Sequence, residues 1–166
     1  MSYAPEDDRG LTGVLFVCLG NICRSPLAEG LFQQLVEQRG LQSRYTVASA
    51  GTGNWHVGDP ADSRMIVTAQ RHGIELQGRA HQVSRQDFDL FDLILAMDRT
   101  NQAQLLRMAR DDTERAGIHL LREFDPQAGS DLDVPDPYFG GPDGFEHVYQ
   151  IVERACVRLL SELEGE

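Results

Sequence analysis

At 166 residues, 41% hydrophobic and 25% charged, the chain has the size and composition of one globular domain that buries a core without disulfide or metal staples. A formal net charge of −11 is the opposite of the basic face that nucleic acid or an anionic membrane demands, so neither is expected as a partner. All fifteen basic residues are Arg, which excludes a Walker-type nucleotide site and Schiff-base catalysis, since both need a lysine.

Residues 1–10 are polar and acidic, unlike a signal peptide, and are expected to form a flexible arm ahead of a single domain over 11–166. No run approaches the ~20 apolar residues of a membrane span. An odd number of cysteines, three, fits a reducing compartment. A cytoplasmic protein is expected. Gly13 to Val17 is a continuous apolar run, as in a strand buried on both faces. Ser25-Pro26 opens a helix whose stripe is Leu27, Leu31, Leu35 and Val36, and Gly40 ends it. Tyr45 to Ala48 predicts a second strand, and Ala61 to His72 a helix. Ser84-x-x-Asp87 has the form of a capping box. Leu93 to Met97 predicts the third strand, a helix follows to Arg110, and Ile118 to Leu121 predicts the fourth strand. After a Pro/Gly/Asp-rich segment from Glu123 to Gly144, a last helix carries Phe145, Val148, Val152, Ala155, Cys156 and Leu159 at helical spacing, so Cys156 is read as core.

Alternating strands and helices imply an α/β fold: an open four-stranded parallel sheet flanked by helices on both faces. Ligands of such sheets sit beyond the carboxyl ends of the strands. Cys18, the Trp55 loop, Asp98 and the Asp-rich loop at 131–136 each follow a different strand, so all four are expected on one edge.

The most informative segment is Cys18-Leu19-Gly20-Asn21-Ile22-Cys23-Arg24-Ser25-Pro26, directly after the first strand. A Cys-x5-Arg-[Ser/Thr] match is expected by chance only roughly 0.02 times in this composition. Cationic and helix N-terminal surroundings favour a thiolate, and Cys18 has both in Arg24 and the helix that follows. Gly20 lets the N–H groups of Leu19 to Cys23 turn inward as an anion-binding nest. Asn21 suits left-handed geometry or an amide lock on the loop. Arg24 grips two phosphate oxygens with its planar fork, and Ser25 donates to the Cys18 sulfur as it departs. Cys23 reads either as a packing residue or as a disulfide partner that shelters Cys18 from oxidation.

A general acid is needed to protonate a leaving phenolate. Asp136, between Pro135 and Pro137, is a candidate, though an ordinary acidic turn explains the same residues. Trp55 lies among Gly53, Asn54, His56 and Gly58, poor company for burial, and suggests a slot for a flat ring. Such a slot favours phosphotyrosine, because phosphoserine is too short to reach the nucleophile. The histidines and cysteines lack metal-ligand spacing, so no metal and no cofactor are expected.

The loop from Cys18 to Pro26, together with Ser49-Ala50-Gly51-Thr52, Trp55 and Asp136-Pro137-Tyr138, resembles the low-molecular-weight protein tyrosine phosphatase family over nearly the whole chain after residue 12. Other Cys-x5-Arg phosphatases carry that motif late in the domain, whereas here it is early. The resemblance implies Cys18 as nucleophile, Arg24 as phosphate clamp and Asp136 as general acid and then base. It implies Asn21, Ser25 and Ser49 as loop supports and Trp55 and Tyr138 as aromatic walls. The expected substrate is a phosphotyrosine protein or aryl phosphate, with inorganic phosphate as product and inhibitor. Two positions depart from the family pattern. Phe139 stands where many members have a second Tyr. Many members also place a His in the stretch matching Ile74 to His81 to buttress the loop Asn, and here that stretch reads Ile-Glu-Leu-Gln-Gly-Arg-Ala-His.

Two alternatives stand beside this reading. A thiol-dependent arsenate reductase would need a cascade of further cysteines, and residues 73–98 contain none. A weakly active phosphotyrosine-binding or redox-sensing module could use the same loop.

Overall fold

The computed structural model describes residues 10–138 and 140–166; the acidic arm expected over 1–10 falls, but for Gly10, outside the described residues, as does Phe139. Four parallel strands, β1 (Thr12–Cys18), β2 (Tyr45–Gly51), β3 (Leu93–Ala96) and β4 (Ile118–Leu120), form one sheet in the order β2-β1-β3-β4. Among the described residues six helices surround it: α1 (Arg24–Gln38), α2 (Ser63–Arg71), α3 (Arg85–Leu90), α4 (Arg99–Met108), α5 (Asp112–Ala116) and α6 (Pro142–Leu163).

β1 is central and all seven of its residues are buried, which is why it reads as an unbroken apolar run. The strand period of two still divides its side chains between faces. Val14, Phe16 and Cys18 join the larger core beneath α1 and α6, with Leu27, Phe32, Val148 and Val152. Leu15 and Val17 join a second core with Phe88, Ile94, Ala96 and Leu105. Both faces are thus covered, as the alternating pattern predicts. The three cysteines are free thiols, all buried, and Cys156 is wholly enclosed in the core.

Element boundaries shift from the sequence reading. β3 and β4 each stop one residue earlier than expected, α2 lacks the expected Ala61, Asp62 and His72, and α4 ends at Met108 rather than Arg110. β2 runs three residues further, to Gly51, which pairs with Cys18 across the sheet. A Cβ at Gly51 would stand 2.8 Å from the Leu19 carbonyl oxygen, so glycine lets β2 pass against the turn leaving β1. Two elements carry no pattern that predicts them: α5, which buries no residue, and a 3-10 turn at Leu121–Phe124. Among the described residues, no helix is long and apolar enough to cross a membrane.

Candidate active site

The loop from Cys18 to Cys23 connects the carboxyl end of β1 to the first turn of α1. Asn21 sits within it at φ +57°, the only described non-glycine residue in the left-handed region, a conformation Asn tolerates because its short side chain finds local hydrogen bonds. That turn brings the Asn21 backbone N–H to 3.3 Å from Cys18 Sγ. Ser25 Oγ lies 2.9 Å from the same sulfur.

The side chain of Asn21 fixes which way the remaining hydrogens point. Its Oδ1 accepts from the backbone N–H of His81 at 3.0 Å, so its Nδ2 must face the other way. Nδ2 donates to Ser25 Oγ at 2.8 Å and to Ser49 Oγ at 3.0 Å. Both hydroxyls, having accepted from Asn21, send their own hydrogens outward. Ser49 donates to Glu29 Oε1 at 2.5 Å. Ser25 is left to donate to Cys18, with the Ala50 carbonyl a longer alternative at 3.4 Å. The geometry therefore aims two donors at the Cys18 sulfur. The buttress of the loop Asn is accordingly a backbone N–H, that of His81, rather than an imidazole.

Arg24 is 3% exposed, and its fork is held from behind. Nη1 donates to Asp98 Oδ2 at 2.8 Å and to the Val134 carbonyl at 2.9 Å. Nη2 stands 3.6 Å from Asp136 Oδ2. Burial pulls the guanidinium's pKa down, but Cys18, Asp98 and Asp136 outweigh it and raise the pKa overall. Asp98 comes from the turn after β3, where it also caps α4 by accepting from Asn101 N–H at 2.8 Å. Val134 is fixed in turn by a 2.7 Å bond from its N–H to the Met97 carbonyl.

Asp136 is 37% exposed, and its Oδ1 accepts from the Tyr138 N–H at 3.0 Å. Cys18 and Arg24 from one segment and Asp136 from another, far along the chain, are thus brought together. Cys23 is buried, and burial first, then Asp62, Cys18 and Asp136, push its thiol well above its ordinary value. It is a free, buried thiol at the end of the loop. Trp55 is 70% exposed, and its ring lies over Gly53, whose N–H is bonded to the Leu19 carbonyl. Tyr138, also exposed, has the His56 ring 6.3 Å away, and His56 in turn packs against Gly20 of the loop. The departure at Phe139 lies outside the described residues. Among the described residues, no group of three or more His, Cys, Asp or Glu is arranged to hold a metal ion.

Several contributors escaped the sequence reading. Asp98 was expected on the ligand edge after β3, but its hold on Arg24 was not foreseen. Glu29 carried a fainter signal, one helical turn beyond Ser25 on the same face of α1. His56 and the Val134 carbonyl gave none. Behind the loop a groove of about 610 Å³ includes Asn21, Glu29, Ser49, Gly78 and His81 but none of Cys18, Arg24 and Asp136.

Residues 13–166 match the family model described as low molecular weight phosphotyrosine protein phosphatase. A low molecular weight protein-tyrosine-phosphatase of Streptomyces coelicolor is 46% identical over 149 residues, covering 89% of this chain and 91% of that one. The human low molecular weight phosphotyrosine protein phosphatase is 41% identical over 156 residues, covering 93% and 98%. A crystal structure of a protein tyrosine phosphatase from Entamoeba histolytica superposes with a TM-score of 0.88 at 38% identity, over 93% of this chain and 97% of that one. A loop that aims hydrogen-bond donors at a cysteine sulfur, an arginine fork beside it and matches of this extent have one reading: the chain belongs to the low-molecular-weight protein tyrosine phosphatase family, whose members are phosphoric monoester hydrolases.

Proposed function

We propose that this chain hydrolyses phosphotyrosine in proteins through a phosphocysteine on Cys18. The observation that carries the reading is the polarity of the network around Asn21, which supplies Ser25 O–H and Asn21 N–H to the sulfur. Both donors favour a thiolate over a thiol. Cys18 Sγ attacks phosphorus, the S–P bond forms and the P–O bond to the aryl group breaks. Arg24 and the loop N–H groups spanning Leu19 to Cys23 hold the equatorial oxygens. Asp136, more exposed than Asp98 and with Oδ2 3.6 Å from Arg24 Nη2, gives its proton to the departing phenolate. It then takes a proton from the water that attacks the phosphocysteine. The P–S bond breaks, inorganic phosphate leaves, and Ser25 stabilises the returning thiolate.

The exposed rings of Trp55 and Tyr138 support an aromatic leaving group, and with it phosphotyrosine over phosphoserine. Phosphate, as product, competes for the same loop. The net charge supports a protein without nucleic-acid or membrane partners that works in the cytoplasm. The family membership disfavours the arsenate-reductase and binding-module alternatives. Rapid quenching during turnover of phosphotyrosine is expected to trap an acid-labile phosphoenzyme that vanishes in Cys18→Ser. A phosphoenzyme that survives that substitution, or equal turnover of phosphoserine, would overturn the reading.

A further inference from the structure

We propose that Arg64 is a positioning residue that locks the general-acid loop against the phosphate loop. It is the second residue of α2, and its guanidinium makes a two-pronged pair with Asp62, Nε to Oδ1 at 3.0 Å and Nη2 to Oδ2 at 2.9 Å. Asp62 caps α2 by accepting the Arg64 backbone N–H at 2.8 Å. Its own N–H donates to the Ile22 carbonyl at 2.8 Å. The start of α2, and with it Arg64, is therefore tied directly to the phosphate loop.

The same guanidinium reaches across to the other wall of the site. Its carbon lies 5.3 Å from the centre of the Tyr138 ring and 4.7 Å from that of Phe145. Phe145 is buried in the first turn of α6, which gives the flat cation a fixed partner on that side. Tyr138 is exposed and belongs to the loop whose position matters for chemistry. Its backbone N–H holds Asp136 Oδ1, so a displacement of Tyr138 carries the carboxylate with it. A planar, permanently charged group can make the fork and stack on rings at once, which a lysine cannot. Arg64 touches none of the reacting atoms. It acts through Tyr138 on Asp136.

The inference rests on Asp136 being the general acid, and the leaving group reports on that step. Protonation matters most for a poor leaving group and least for an activated one. Arg64→Ala is expected to lower kcat/KM for phenyl phosphate by about tenfold and for 4-nitrophenyl phosphate by less than about twofold, the scale of a misplacement of about 1 Å or less. Arg64→Lys is expected to fall between the variant and wild type. Asp62→Asn, which weakens the fork but keeps the stacking cation, is expected to give the same signature at smaller size. In an Asp136→Asn background, Arg64→Ala is expected to cost nothing further, since the two act on one step. If Asp136→Asn itself leaves phenyl phosphate turnover intact, the general-acid assignment falls and the role of Arg64 with it. If Asp136→Asn is slow but Arg64→Ala loses one factor on every ester, or the two losses multiply, the Arg64 inference alone is overturned.

Discussion

The backbone N–H of His81 donates to Asn21 Oδ1, and this single bond orients an amide that in turn orients Ser25 and Ser49. Replacing the amide nitrogen by an oxygen is thus a severe test of the network. In Asn21→Asp, a carboxylate would confront both hydroxyls, and each would turn its hydrogen toward it. Ser25 would then no longer donate to Cys18, and a negative charge would stand nearby. Alkylation of Cys18 by iodoacetamide at pH 6 is expected to slow by about tenfold or more, the weight of a lost charge-assisted hydrogen bond. An unchanged rate would mean that the hydroxyl never pointed at the sulfur.

Asp98 is expected to matter to phosphate binding without touching phosphate. It holds Arg24 Nη1 in a part-buried pair, and a guanidinium freed from it can rotate out of register with two oxygens. Asp98→Ala is expected to lower kcat/KM by about 10²-fold, the usual scale of a 1 Å misplacement. Asp98→Asn keeps an acceptor at the same place and should lose less. Steady-state kinetics with inorganic phosphate as competitor measure both effects.

Ser25 is expected to act in the second half-reaction, when the thiolate must leave phosphorus. Ser25→Ala is expected to slow hydrolysis of the phosphoenzyme by about tenfold while the first step changes less. Stopped-flow traces with 4-nitrophenyl phosphate would then show a larger burst followed by a slower steady state. Equal slowing of both phases would move Ser25 from leaving-group support to loop support.

Acid stability is expected to depend on Asp125. This carboxylate is buried, with Arg154 donating to both oxygens at 2.8 and 3.0 Å and Arg122 paired at 3.4 Å. Burial pulls its pKa up, but the bonds from Arg154, the Gln127 N–H and Arg122 prevail and hold it below the usual carboxylate range. A depressed folded pKa contributes stability that is complete above the unfolded value, about 3.9, and is lost as the pH falls below it. Asp125→Asn is expected to cost about 2 kcal/mol at pH 7, the loss of charge-assisted hydrogen bonds. The gap in Tm from wild type should narrow below about pH 4. Thermal melts from pH 7 to pH 3 test both.

What the sequence disclosed depended on how local each signal was. β1 and α6 announced themselves through runs and stripes that packing against a sheet requires. Cys18, Asn21, Arg24 and Ser25 are neighbours in the chain, so their spacing alone carried the chemistry. α5 was hidden because it is five residues long and buries nothing, leaving no apolar stripe to read. Asp98 was placed on the ligand edge by its position after a strand, but its partner Arg24 is 74 positions away, and a pairing of that range leaves no trace in spacing. The buttress of Asn21 was sought among side chains and is a backbone N–H, which every residue but proline possesses. Arg64 drew no reading from the sequence, because its partners Asp62, Tyr138 and Phe145 meet only where α2, α6 and the Asp136 loop converge.

Cys18 closes the central strand of the sheet, flanked by β2 on one side and β3 on the other. Central strands exchange their amides only when the whole molecule opens, so the anchor of the nucleophile has no private melting transition. Turnover and circular dichroism are therefore expected to share one urea midpoint, with catalysis persisting until the protein itself comes apart.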